Sequence, residues 1–159
     1  MPLLRETINT RLPIDETFAF VADFANNAVW DPNSATSVRI DDGPAGGPGG
    51  SGPVRVGTRY ALSVRQGGKF VPMEYRVTAW EPGRRVVLEG VGPGVRATDD
   101  IRFEATPTGT RVDYTADITL TGLMRLATPF AGGAFAKIAQ GAAAGMAREL
   151  EARAEAAAR

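Results

Sequence analysis

The chain contains no cysteine and no histidine. That excludes disulfides, thiol nucleophiles, Cys/His zinc centres and every Ser-His or Cys-His catalytic pair. Proton transfer would fall to Asp, Glu, Tyr, Lys, Arg, Ser or Thr. Net charge is absent too: Lys+Arg 18 balance Asp+Glu 18. No global field therefore draws the protein to phosphate backbones or anionic lipid, and no nucleic-acid partner is expected. No apolar run is long enough to span a bilayer, and the N-terminus (MPLLRETINT) turns polar before a signal-peptide core could form. The expectation is a cytoplasmic protein with no integral membrane segment and neither metal nor cofactor.

The 159 residues, 43% hydrophobic and 23% charged, are those of one ordinary domain spanning 1–159. The 19 glycines and 11 prolines look excessive, but they concentrate in Gly43–Pro53 (GPAGGPGGSGP). That stretch has no basic residue and lacks the Lys and Ser/Thr pair of a phosphate loop, so it reads as a flexible connection between early strands.

Leu3–Leu12 alternates with Leu4, Ile8 and Leu12 on one side, as a strand does. Pro13-Ile14-Asp15-Glu16 opens a short helix carrying Phe18, Val21, Ala22 and Ala25 at helical spacing, with acidic residues in its first turn. A second short helix or turn holds Asn26–Trp30 before the stop signal Asp31-Pro32-Asn33. Strands follow at Ser37–Asp41, Gly57–Gln66, Lys69–Trp80, Arg84–Gly90, Thr98–Ala105 and Thr110–Leu120, separated by Gly- and Pro-containing turns. From Gly122 the period changes. Thr128 and Pro129 suit the start of a long helix, with Phe135, Ile138, Ala139, Ala142 and Met146 on one side and Leu150 at its margin. The fold class is α+β: a curved antiparallel sheet wrapped around a long C-terminal helix, with two short helices after the first strand.

This order resembles the START/Bet v 1-like helix-grip superfamily (SRPBCC), which includes polyketide cyclase/dehydrase-like and lipid-transport-like proteins. The carriers are Pro13–Phe18 followed by Ala22-Asp23-Phe24, then Trp30-Asp31-Pro32, Gly57-Thr58, Glu81–Arg84, Gly109–Val112 and Leu123–Phe130. The resemblance covers essentially the whole chain and implies a cavity between sheet and last helix that takes an apolar or aromatic small molecule. The scaffold serves carriers, sensors and enzymes alike, so it does not by itself specify an activity.

The alternation places Tyr60, Leu62, Val64, Met73, Tyr75, Ile101, Phe103 and Tyr114 on the inward face, with Phe135, Ile138, Ala142 and Met146 opposite; these are the candidate ligand-binding residues, together with Trp30. Trp30 reads either as an aromatic near the cavity mouth or as a staple joining the short helices to the sheet. The three tyrosines either orient a ligand carbonyl or simply reach a partner at the rim of the core. In TDDIRFEA, the alternation that turns Ile101 and Phe103 inward also turns Asp99 inward. On an apolar wall its pKa would rise towards neutrality, as a general acid or base requires; at an open strand end it would be solvated or paired with Arg96. Asp99 and Tyr114 are the candidate catalytic pair. Gly141 and Gly145 leave space beside the final helix for a ligand or a strand side chain.

The expected function is binding of a hydrophobic small molecule such as a lipid, quinone or polyketide-like compound, as monomer or homodimer. The alternative is a cyclase or dehydratase acting on a bound polyketide.

Overall fold

The computed structural model describes residues 3–40 and 52–159, so most of the Gly/Pro stretch lies outside the described residues. Seven strands, β1 (Leu3–Thr10), β2 (Ser34–Ile40), β3 (Arg59–Gln66), β4 (Lys69–Glu81), β5 (Arg85–Gly92), β6 (Val95–Thr106) and β7 (Gly109–Leu120), form one antiparallel sheet in the order β1-β7-β6-β5-β4-β3-β2. Helix α1 (Ile14–Val21), a 3-10 turn (Phe24–Asn26) and α2 (Asn27–Trp30) follow β1. A second 3-10 segment (Gly122–Ala127) leads from β7 into α3 (Thr128–Ala157). Every element expected from the sequence is present, but the first helix stops at Val21, so that Ala25 falls in the 3-10 turn Phe24–Asn26, and this turn and the 3-10 segment after Gly122 are additional. Thr128 is the first helical residue rather than the cap, which falls on Ala127, and Pro129 sits in the first turn, where its missing N–H costs nothing.

Two register shifts, at Ser34/Thr36 in β2 and at Val77/Ala79 in β4, help curl the sheet. Its concave face and α3 enclose the core. The second half of α3 packs hardest: Ala142, Met146, Leu150 and Ala154 recur every fourth residue and are buried. Leu150 is wholly buried at the centre of this stripe, not at its margin, in the helix that packs on β1. Arg11 pairs with Glu151, and the Arg153 guanidinium lies 3.7 Å over the Phe20 ring, tying α3 to β1 and α1.

The loop between α2 and β2 meets α3 at Gly145. A Cβ there would stand 2.0 Å from the Trp30 carbonyl oxygen and 3.0 Å from Pro32 Cδ. Gly141 faces Pro32 and Asn33 more loosely. These glycines admit the Trp30–Asn33 backbone, not a ligand or a strand side chain. Asn33 Nδ2 then donates to the Ile138 carbonyl (3.1 Å), fixing the loop to the helix.

Candidate functional site

Space under the first half of α3 comes from small side chains on the sheet. Across β4 to β7, Tyr75 stands opposite Gly90, Gly90 opposite Ala97 and Ala97 opposite Ile118. In a parallel row, Leu88 pairs with Asp99, Asp99 with Ala116 and Ala116 with Leu4. Alanines 134, 139 and 142 face this floor from α3. A cavity of about 170 Å³ results. Gly90 has a specific part: a Cβ there would lie 2.6 Å from the Tyr75 ring, so only glycine lets that ring lie down on the sheet.

Of the residues expected on the wall, Leu62, Val64, Met73, Tyr75, Asp99, Tyr114, Phe135, Ile138 and Ala142 line the cavity. Trp30, Tyr60, Ile101, Phe103 and Met146 do not; they are packed into the core. Trp30 is wholly enclosed, with its ring edge-on to Phe24 (5.9 Å) and Tyr114 (6.1 Å), so it staples the short helices to the sheet and does not stand at the mouth. Tyr60 packs against the Phe24 ring (6.3 Å), which lines the cavity in its place, and its buried hydroxyl lies beside Asp23. Ile101 and Phe103 share the inward face, but lie one and two positions further along that face of β6, where Phe18 fills the space against Phe103. Met146 falls one turn beyond the cavity, under the tightly packed half of α3.

The structure adds lining residues that the sequence reading did not single out: Phe24, Asn27, Asp31, Asn33 and Ala97 among them. Asp31 matters most. The Trp30-Asp31-Pro32 motif carries it, but a stop signal before proline conceals that its carboxylate turns inward. Asp31 Oδ1 accepts from both the backbone N–H and Nδ2 of Asn33 (2.9 Å each). Burial still holds its pKa above the ordinary value.

Asp99 is 5% exposed and unpaired with Arg96, which lies on the outer face. Burial pushes its pKa up to about 7; the Tyr114 hydroxyl beside it partly stabilises the charge, and the Asp31 carboxylate opposes it. Tyr75 and Tyr114 are held well above the usual phenol range, first by burial and then by the Asp99 and Asp31 charges. Both stay protonated donors at any physiological pH.

The polar groups divide by whether their hydrogen-bonding capacity is spent. Ser34 Oγ donates to Asn27 Oδ1, and Asn33 serves Asp31 and α3. Left for a guest are the Tyr75 hydroxyl, the second oxygen of Asp31 and the acceptor sites that the Tyr114–Asp99 pair does not use. Arg65 and Gln66 stand at the end of β3, where Arg65 is exposed and covers the Phe70 ring at 4.9 Å. Among the described residues no cluster of three or more Asp or Glu side chains could hold a metal ion.

A family model described as polyketide cyclase/dehydrase and lipid transport matches residues 1–155. No curated protein sequence matches the chain. Among solved structures, the Zhui aromatase/cyclase from Streptomyces sp. R1128 superposes with a TM-score of 0.73 at 14% identity, covering 99% of this chain and 95% of that one. TTHA0849 from Thermus thermophilus gives 0.73 at 17% identity over 99% and 100% of the two chains. A START superfamily protein from Mycobacterium smegmatis gives 0.68 at 16% identity over 96% and 97%. At these identities the likeness establishes the helix-grip fold.

Proposed function

The chain belongs to the polyketide cyclase/dehydrase and lipid transport family, and from that premise we propose that its cavity binds a small, uncharged, largely aromatic molecule. The observation that carries this is the lining: apolar and aromatic side chains surround two carboxyls and two phenols, and its one cation, Arg65, stands exposed at the end of β3. Burial of rings drives association, while Tyr75 donates to a ligand carbonyl or hydroxyl and Tyr114, whose proton goes to Asp99, accepts from a ligand hydroxyl. Size narrows the class. An apolar cavity of about 150 Å³ takes a benzene ring, so 170 Å³ accommodates one ring or a compact pair, and a longer molecule extends past Arg65 into solvent. The place of action in this reading is the cytoplasm.

Titration of the isotopically labelled protein with hydroxylated naphthalenes, quinones and short fatty alcohols tests the reading. Saturable NMR shifts confined to Tyr75, Tyr114, Phe135 and Ala142 are expected. If no compound moves these signals below millimolar concentration, the reading fails.

A second reading rests on Asp99 alone. A carboxyl with a pKa of about 7 can accept and return a proton at neutral pH. In a cyclase or dehydratase step, ionised Asp99, held by Tyr114, would remove a proton from a methylene beside a carbonyl while Tyr75 donates to the enolate oxygen. The protonated Asp99 would then return that proton to the departing hydroxide, releasing water and restoring the carboxylate. Turnover of a poly-β-ketone substrate that survives Asp99→Asn unchanged would reject this step.

A further inference from the structure

In an antiparallel sheet of consecutive strands, alternate turns fall at the same end. The β3–β4 turn, the β5–β6 turn and the β7–α3 link therefore meet beside the cavity. The Thr121 N–H donates to the Gly94 carbonyl (2.9 Å), seating the 3-10 segment Gly122–Ala127 on the β5–β6 turn. The residues brought together, 65–73, 90–98 and 118–147, contain no Asp or Glu at all. They contain Arg65, Lys69, Arg96, Arg125 and Lys137, every one exposed. In a chain with zero net charge, the two turns and the link at this end thus carry cations alone, and the nearest acid of the α2–β2 loop, Asp31, turns into the cavity. The opposite end mixes signs, with Glu81, Glu104 and Asp113 interleaved among Arg84, Arg85, Arg102 and Arg111.

The basic end also carries the most exposed aliphatic side chains among the described residues. Leu123 is 88% exposed and Leu126 77%. In a 3-10 helix, residues three apart share an edge, so the two leucines project side by side with Arg125 next to them. Phe70 and Val91, about half exposed, stand on the neighbouring turns. Protruding aliphatic side chains ringed by cations match an anionic bilayer, whose headgroups pair with the cations and whose acyl region receives the leucines. A flat protein partner would leave such projections poorly packed.

We propose that this end docks reversibly on anionic membrane, with Leu123 and Leu126 as the inserted pair. The cavity then opens towards the lipid, and an apolar ligand passes between bilayer and protein with little exposure to water. Leu123, Leu126, Lys69 and Arg125 lie outside the cavity lining, which of the five cations takes in only Arg65, so docking and ligand binding fail separately in variants of these four residues.

Flotation of the full chain with vesicles of pure phosphatidylcholine, and with vesicles containing about one-third phosphatidylglycerol, tests the proposal. Expected is binding to the second alone, weakened by added salt. It should fall roughly 25-fold in Lys69→Ala/Arg125→Ala, at about fivefold per cation, and more than tenfold in Leu123→Ser/Leu126→Ser. Both variants should keep the wild-type melting temperature and bind soluble aromatic ligands as before. No flotation at low salt overturns the proposal, as does flotation indifferent to the leucine substitutions. Salt-sensitive binding to an acidic carrier protein without vesicle binding also overturns it, making the partner a protein.

Discussion

Replacing Asp99 with asparagine preserves the shape of the side chain and its ability to accept from Tyr114, but removes the titration. In the folded chain the carboxyl moves from its ordinary 3.8 to about 7. By linkage this amounts to at most about 4 kcal/mol. The sign follows from where the proton sits. Below pH 3.8 the carboxyl is protonated whether the chain is folded or not, and its burial has no ionic cost. Between 3.8 and about 7 only the folded chain keeps the proton, so stability falls as pH rises. Above about 7 the folded chain encloses a charge and bears the full cost. Asp99→Asn should thus match the wild type near pH 4 and exceed it progressively, by up to about 4 kcal/mol at pH 8, or about 10 °C in melting temperature for a chain of this size. Urea denaturation of both proteins across this range measures the gap. Parallel stability profiles would refute the burial argument, and with it Asp99 as a proton carrier near neutrality.

Tyr114→Phe removes the donor that stabilises the Asp99 carboxylate, so the Asp99 pKa should rise above about 7, read from its carboxyl carbon shift in an NMR titration; a fall would mean that Tyr114 acts otherwise. Ala116→Leu fills the cavity floor beside Asp99 without touching the rest of the core, and should weaken aromatic ligands at least tenfold while the protein stays as stable or gains stability. Gly145→Ala drives a methyl into the Trp30 carbonyl and should cost about 3 kcal/mol in urea denaturation, because backbone must move to relieve it. Aromatic carboxylates should bind at least tenfold more weakly than the matching alcohols at pH 8, by repulsion from Asp31 and Asp99, with the gap narrowing at pH 6 as Asp99 takes up its proton.

Much of the site was legible in local pattern. Period-two alternation turns Leu62, Met73, Tyr75, Asp99 and Tyr114 to one face of the sheet, and that face is the concave one. Periodicity says which way a side chain points, but not what stands in front of it. Tyr60 points inward like Tyr75, yet Phe24 packs against it and lines the cavity in its place, whereas Tyr75 has Gly90 beneath and open volume above. Ile101 and Phe103 lie on the same strand face as Asp99, and α1 covers them with Phe18. Asp31 escaped notice for another reason: its place in the cavity depends on the close approach of its loop to Gly145 of α3, more than a hundred residues away.

By itself the sequence determined the element order, the inward face of each strand, the apolar stripe of α3 and the exclusion of thiol and imidazole chemistry. These depend on residue type and on periods of two or 3.6. Tertiary structure decided where the cavity lies, since volume arises where small residues on three strands and a helix meet. It also decided that two carboxyls separated by 68 positions share that volume and oppose one another's ionisation. Charge shows the difference most plainly. The composition sums to zero, and only antiparallel pairing, by placing alternate turns at one end, brings five cations together on segments that carry no acid.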